Sequence, residues 1–300
     1  YYLEAPTKYR GLFFPENNTL FKTIDTIEFN YAQTALINRF THIEKAIGDI
    51  IFRYFLNKGL LVQADSKDGL ISGKLVLDMR EIYNFDEKGR IYKIYEESGC
   101  IIIEYSKYTS MELKDLQYRR YLAIKFDGSY SKIERWKEQR YPEDEKRQSY
   151  PWQLYVYEAL SFNILKRISF GFGSSKEKAI SDALSLFNYS FQDLDKNNNQ
   201  DNIFVKVNST IEINFAYNCA MFSMNELYYK DGFLAGLPWF FQVWTRDEAI
   251  SLKPLITQRR YDLAKRIIFN RLKSIGENGR VGNRIPSTEI ETADATGWIF

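Results

Sequence analysis

Residues 236–252 (GLPWFFQVWTRDEAISL) gather two indole rings, a guanidinium and a carboxylate in one short stretch: Trp239, Trp244, Arg246 and Asp247. A carboxylate accepts two hydrogen bonds, a guanidinium donates in a fork, and an indole offers a flat apolar face. A ligand with apolar faces and vicinal hydroxyls, such as a sugar ring, needs that combination. The same residues also fit a capped helix that leaves Arg246 and Asp247 on its surface. A second segment, residues 279–300 (GRVGNRIPSTEIETADATGWIF), places Asp294 in the first turn of a helix capped by Thr292, with Trp298 one turn on. A general acid working at neutral pH needs a raised pKa, which burial against an aromatic ring can supply. The helix N-terminus pulls the other way by stabilising the anion, which is also why acidic residues favour first turns for no catalytic reason. For Asp294 to serve as an acid, desolvation must win.

The elements that position these residues fall into two parts. Up to about residue 172 the chain reads as β. Residues 73–83 (GKLVLDMREIY) alternate, with Leu75, Leu77 and Met79 on one side and Lys74, Asp78 and Arg80 on the other. A DEKG turn follows, and residues 90–95 (RIYKIY) alternate again, which predicts a hairpin. Residues 100–105, 121–126 and 164–172 read as further strands, and many short strands separated by turns indicate a sandwich rather than βαβ units. A helix over 174–188 follows, with Ser174 and Glu177 as its capping box. Residues 192–202 are polar and lack periodicity, which predicts a linker between a β-rich domain over 1–191 and a helical one over 203–300. In that second domain the spacing predicts helices over 210–229, from Thr245 with Glu248 closing a capping box, over 260–275, and from about Thr292, with a loop over 230–244. Pro254 is expected to bend the second of them. Three helices and a stub cannot enclose a core, because helices draw most of their stability from packing of an apolar face. The chain is therefore expected to be the front portion of a larger fold, and a start at Tyr1 suggests that its true N-terminus is missing.

Several chemistries are disfavoured. Net charge is +2, with 41 Lys plus Arg against 39 Asp plus Glu, which argues against nucleic acid as a partner. No apolar run reaches the ~20 residues of a membrane helix. His42 is the only histidine, so a multi-histidine metal site is ruled out and a Ser-His-Asp triad would have to run through it. The acidic alternation from Asp193 to Asp201 resembles a calcium loop, but Asn198 and Phe204 stand where Gly and Glu are required. GFGSSK at 171–176 lacks the third Gly and the βαβ setting of a dinucleotide site. No cofactor and no metal are expected. Cys100 and Cys219 fall in different domains, which fits a reducing, cytoplasmic setting. The 22 Tyr, 22 Phe and 5 Trp suit a large β core, with some rings available as sugar platforms.

WTRDEAISL at 244–252, followed some fifty residues later by TADATGW at 292–298, resembles the helical-barrel hydrolases of α-glucans, and most of all the amylo-α-1,6-glucosidase (glycogen-debranching) family, with glucoamylases as relatives. The β-rich front, GKLVLDMREIY included, is similar to that family's N-terminal sandwich. The resemblance implies a β-sandwich followed by the first helices of an (α/α)6 barrel, and inverting hydrolysis of an α-glucan such as glycogen or a maltooligosaccharide. It implies that Asp247 binds the sugar at the cleaved end, that Arg246 and Trp244 line that subsite beside Trp239, and that Asp294 is the general acid. The family's general base is a Glu in later barrel helices, so a C-terminal half is expected in the same chain or a partner chain. Glu289 and Glu291 share a loop with Asp294 and are not expected to reach the opposite face of the sugar. A glucoamylase-like α-1,4 hydrolase, a trehalase-like enzyme and a non-catalytic glucan-binding or assembly subunit fit the same residues.

Overall fold

Alternating and β-branched stretches of the first half form strands β1 (Leu12–Glu16), β2 (Thr19–Phe29), β3 (Gln33–Asn38), β4 (Ile43–Ile47), β5 (Ile50–Asn57), β6 (Gly59–Asp65), β7 (Ile71–Glu81), β8 (Arg90–Glu97), β9 (Cys100–Ser110), β10 (Asp115–Arg140) and β11 (Gln153–Gly173), with helices α1 (Pro142–Lys146) and α2 (Lys176–Asn188). They belong to a computed structural model that describes residues 7–16, 19–29, 33–38, 42–47, 49–65, 69–110, 112, 115–190, 209–230, 232–237, 239–285 and 293–299. Contacts divide the chain into two compact units, residues 1–203 and 204–300. The linker expected over 192–202 and the calcium-like alternation lie outside the described residues. Among the described residues no helix is long and apolar enough to cross a membrane.

The first unit is one 11-stranded antiparallel sheet organised around β11. One edge of β11 pairs with β10, while the other meets β7 at residues 157–164 and β6 at residues 167–171. Phe29 of β2 packs on Phe52 of β5 with ring centroids 4.2 Å apart, although β7, β11 and β6 lie between those strands in the sheet. The sheet therefore curls until its inner face meets itself. The core so enclosed takes Phe21, Leu75, Leu77, Met79, Tyr105, Ile124, Phe162 and Phe170. The mostly antiparallel β architecture expected for this half is present. Its aromatic residues serve the core first, as their suitability for pleated, half-buried surfaces suggests.

Three local expectations need correction. The hairpin read from residues 73–95 does not form: β7 pairs with β2 and β11, and β8 pairs with β9. The polar side of β7 is buried at Asp78 and Arg80, and Asp78, fully buried, ion-pairs there with Lys22 (3.1 Å), Arg80 (2.9 Å) and Arg90 (3.3 Å). Alternation reported the two faces of the strand correctly but could not say that both are covered. Helix α2 is capped by Ser175 rather than Ser174, its side chain accepting from the Lys178 amide. GFGSSK is the join between β11 and α2. Gly171 is required there because a Cβ would stand 2.1 Å from the Ala179 carbonyl oxygen, so α2 can lie this close only over a glycine.

The buried ions extend to Asp25, which accepts from Lys22 (2.7 Å), Arg10 and the Tyr141 hydroxyl (3.0 Å). Burial by itself raises a carboxyl pKa. For Asp78 it is more than offset by Arg80, Lys22 and Arg90, and for Asp25 by Lys22 and Arg10, so both lie below the usual carboxylate range. A carboxyl depressed in the folded state adds stability at pH above its unfolded value, near 4, and that stability disappears as pH falls through the folded value. Thermal melts of the β unit are therefore expected to hold steady, as far as these two groups are concerned, from pH 7 to about 5 and to drop steeply below about 4. In an Asp78→Asn variant the acid limb should be shallower and the neutral-pH stability lower.

The second unit contains α3 (Ile211–Leu227), β12 (Tyr228–Tyr229), β13 (Gly232–Gly236), β14 (Phe240–Trp244), α4 (Thr245–Thr257), α5 (Tyr261–Lys273), β15 (Arg284–Ile285) and α6 (Ala293–Ile299). The helices fall where their periodicity placed them. The stretch 230–244, expected as a loop, instead carries β13 and β14 of a four-stranded antiparallel sheet, β12-β13-β14-β15. Two short apolar strands around Gly236 and Pro238 resemble a loop by composition, because strands this short leave no periodicity to detect. The core packs Phe233, Leu252, Leu255, Leu263, Ile267 and Val281 between sheet and helices.

Candidate functional site

Strand β14 passes without a loop into α4, so Trp244 ends the strand and is also the N-cap, in extended conformation (φ −110°, ψ 124°) with no side-chain cap hydrogen bond. Arg246 and Asp247 follow in the first turn, Arg246 exposed and Asp247 partly so. The helix start is held from outside. The Thr245 hydroxyl, fully buried, donates to the Gly282 carbonyl at 2.6 Å, and the Thr245 amide donates to the Asn283 carbonyl at 2.8 Å. β15 then pairs with β14, Trp244 opposite Arg284.

The capping box expected of Thr245 and Glu248 is absent. Glu248 is fully buried and points the other way, accepting from the Phe233 amide at 3.2 Å and from the Arg271 guanidinium through both carboxylate oxygens. Burial raises the Glu248 pKa, with Arg271 working against it. Gly232 leaves room for this pair, since a Cβ there would stand 2.7 Å from Glu248 Oε1. The pair joins β13, α4 and α5, an arrangement that no local pattern encodes, because a Glu three residues after a Thr is consistent with either use.

Asp294 lies in the first turn of α6; its side chain, like Thr292, Glu289 and Glu291, is outside the described residues. α6 packs against α4. Ala295 is fully buried, and the Thr296 hydroxyl accepts from the Val281 amide at 3.2 Å. Residues 281–283 therefore hold both helix starts, α4 through Thr245 and α6 through Thr296. Two helix N-termini, one with Asp247 and one with Asp294, are set side by side by a single short segment. Trp298, the ring expected to dry the Asp294 carboxyl, is 54% exposed.

Around Trp244 the surroundings are polar but incompletely used. Among the described residues its Nε1 is buried without a hydrogen-bond partner, as is Oδ1 of Asn283, and the Phe240 ring meets the indole edge-on at 6.4 Å. Trp239 is half-buried in the turn between β13 and β14. An indole, a guanidinium and an acceptor carboxylate at one helix start can grip a polyol, with hydroxyls on Asp247 and Arg246 and a ring face on an indole. Among the described residues no group of three His, Cys, Asp or Glu side chains could hold a metal ion. Of the residues singled out from the sequence, the structure places Trp244, Arg246 and Asp247 at the start of α4 and Trp239 in the turn before β14. Sequence reasoning missed Arg271 as the partner of Glu248 and the anchoring role of residues 281–283, for which no local signal exists.

Residues 202–299 match the family model described as amylo-alpha-1,6-glucosidase, and the resemblance carried by WTRDEAISL and TADATGW is to that family. No curated protein matches the chain. Among solved structures, a bacterial glucoamylase complexed with acarbose is similar in fold, with TM-score 0.57 and 14% identity over 89% of this chain and 47% of that one. The chain spans about half the length of that glucoamylase. The family match falls on the unit that carries the candidate site, and the likeness to the glucoamylase is one of fold.

Proposed function

We propose that this chain supplies the sugar-gripping subsite and the general acid of an inverting α-glucan hydrolase of the amylo-α-1,6-glucosidase, glycogen-debranching kind. The observation that carries the proposal is the packing of α4 on α6, with both helix starts tied to residues 281–283, so that Asp247 and Asp294 occupy neighbouring first turns. Asp247 accepts hydrogen bonds from two hydroxyls of the sugar at the cleaved end. Arg246 donates to another, and Trp244 and Trp239 cover the ring faces. Asp294 gives its proton to the glycosidic oxygen as the bond to the anomeric carbon breaks. Water attacks that carbon from the opposite face and loses its proton to a second carboxylate about 6.5–9.5 Å from the first.

That base would come from later helices of an (α/α)6 barrel, in the same protein or in a partner chain. Support for further helices comes from the apolar surface of the second unit. α3 buries none of its residues, Ile211 is 85% exposed, and Phe215, Phe269 and Trp298 also face outward. Faces of this kind are the part of a helical layer that neighbouring helices cover. A cytoplasmic site of action accords with two free thiols, Cys100 and Cys219.

The test uses acarbose and branched glucan with the chain 1–300. Calorimetry should show saturable acarbose binding that weakens about tenfold or more in Asp247→Ala, while glucose release from α-1,6- and α-1,4-linked substrates stays at background. Robust turnover by this chain alone would overturn the claim that the base lies elsewhere. Unchanged acarbose affinity in Asp247→Ala would overturn the subsite.

A further inference from the structure

On the first unit, a cleft of about 240 Å³ is lined by Glu87, Glu138, Tyr150, Trp152, Gln153 and Tyr155. Tyr150 is the notable ring: it is 78% exposed, in a protein whose other aromatics mostly serve the core. Trp152 meets it edge-on at 5.6 Å. Tyr155 is exposed on β11 directly across from Glu138 of β10. Directly opposed residues of an antiparallel pair share a face, and residues two apart on one strand do too. Trp136, itself well exposed, therefore continues the same row beside Glu138.

The polar groups of the cleft are available. Neither the Glu138 carboxylate nor the Gln153 amide has a hydrogen bond or ion pair among the described residues, whereas Glu87 is already used by the Tyr155 amide at 2.5 Å. Arg90, whose guanidinium lies 3.9 Å from Glu87, is buried and committed to Asp78 and the Tyr155 carbonyl. A row of rings with acceptors and an amide between them, and no Lys or Arg in the lining, does not suit an anion. It suits an uncharged chain of repeating flat units with hydroxyls at the edges.

We propose that this cleft is a second, non-catalytic binding site for an α-glucan chain, with Tyr150 and Tyr155 as ring platforms and Glu138 and Gln153 as hydroxyl partners. The choice of glucan rests on the function proposed above. The site would hold the polymer by the β unit and raise the local concentration of chain ends, as any second attachment point does.

The experiment is native electrophoresis of the 300-residue chain through gels containing glycogen, in a Trp244→Ala/Asp247→Ala background that removes the first subsite. Retardation by glycogen should persist in that background. It should weaken about tenfold when Tyr150→Ala and Tyr155→Ala are added, and measurably with Glu138→Gln alone, a surface change that leaves the fold intact. Unchanged melting temperatures show that the variants are folded. Loss of all retardation in the Trp244→Ala/Asp247→Ala background, or equal retardation with and without the tyrosine changes, overturns the proposal. Failure of the catalytic reading shows separately, in acarbose affinity and turnover, neither of which depends on Tyr150.

Discussion

Substituting Asp294 by Asn is expected to lower hydrolysis of an unactivated glucan linkage by about 10²–10⁴-fold, the usual contribution of a general acid, in an enzyme supplied with the proposed opposing base. Glucan affinity stays within about threefold, because Asn keeps the shape and one acceptor while losing only the transferable proton. The two helix starts explain why the effect is so uneven. On the proposed reading Asp247 works in the ground state as a hydroxyl acceptor, and its removal should raise KM as well as lower kcat. Asp294, on the same reading, works only when the leaving oxygen needs a proton. The helix N-terminus beneath Asp294 stabilises its anion, so the acid is usable at neutral pH only when water is removed from it. Trp298, one turn along α6, is 54% exposed, and on the proposed reading a bound sugar supplies that dryness. The pH profile of kcat should therefore lose its alkaline limb in Asp294→Asn, and full activity in that variant would remove Asp294 from the mechanism.

Replacing Arg271 by Ala destabilises the second unit by about 3–5 kcal/mol, the range for breaking a buried ion pair from one side. Glu248 has no water to turn to: it is fully buried, its carboxylate shared between Arg271 and the Phe233 amide. Burial already raises its pKa, and loss of Arg271 raises it further. A carboxyl with a raised folded pKa is tolerated while protonated, so the variant's deficit is smallest near pH 4–5 and grows as pH rises through the folded value. The double variant Arg271→Met/Glu248→Leu should recover much of the loss, because two apolar side chains leave no orphan charge. Urea melts followed by tryptophan fluorescence at pH 5 and pH 8 measure both effects. Equal deficits at the two pH values would show that Glu248 is not left ionised and alone.

The amino-acid pattern revealed the helices of the second unit well, because Ala264, Ile267 and their neighbours mark one face over several turns. It proposed Trp239, Trp244, Arg246 and Asp247 as a sugar site through residue type alone. Where a residue had two possible partners, the pattern offered the nearer one: Glu248 resembled a cap for Thr245 and instead reaches Arg271, distant in sequence but adjacent across the core. Asp78 and Arg80 marked only the polar side of a strand, since alternation distinguishes two sides without saying what covers each. β7 and β8 looked like a hairpin because a turn joins them, whereas β9 and β2 compete successfully for their edges. Local rules describe what a segment can do, and long-range packing selects among the options.

Hydrolysis of α-glucosyl fluoride is the most direct measurement on the central claim, that Asp294 protonates a leaving group at the subsite built by Asp247. Fluoride departs without a proton, so a missing acid should matter little for this substrate and greatly for a glucan. In an enzyme supplied with the proposed opposing base, Asp294→Asn is predicted to keep fluoride hydrolysis within about tenfold of the parent while glucan hydrolysis falls about 10²-fold or more. Equal loss on both substrates, or loss on neither, would contradict the account.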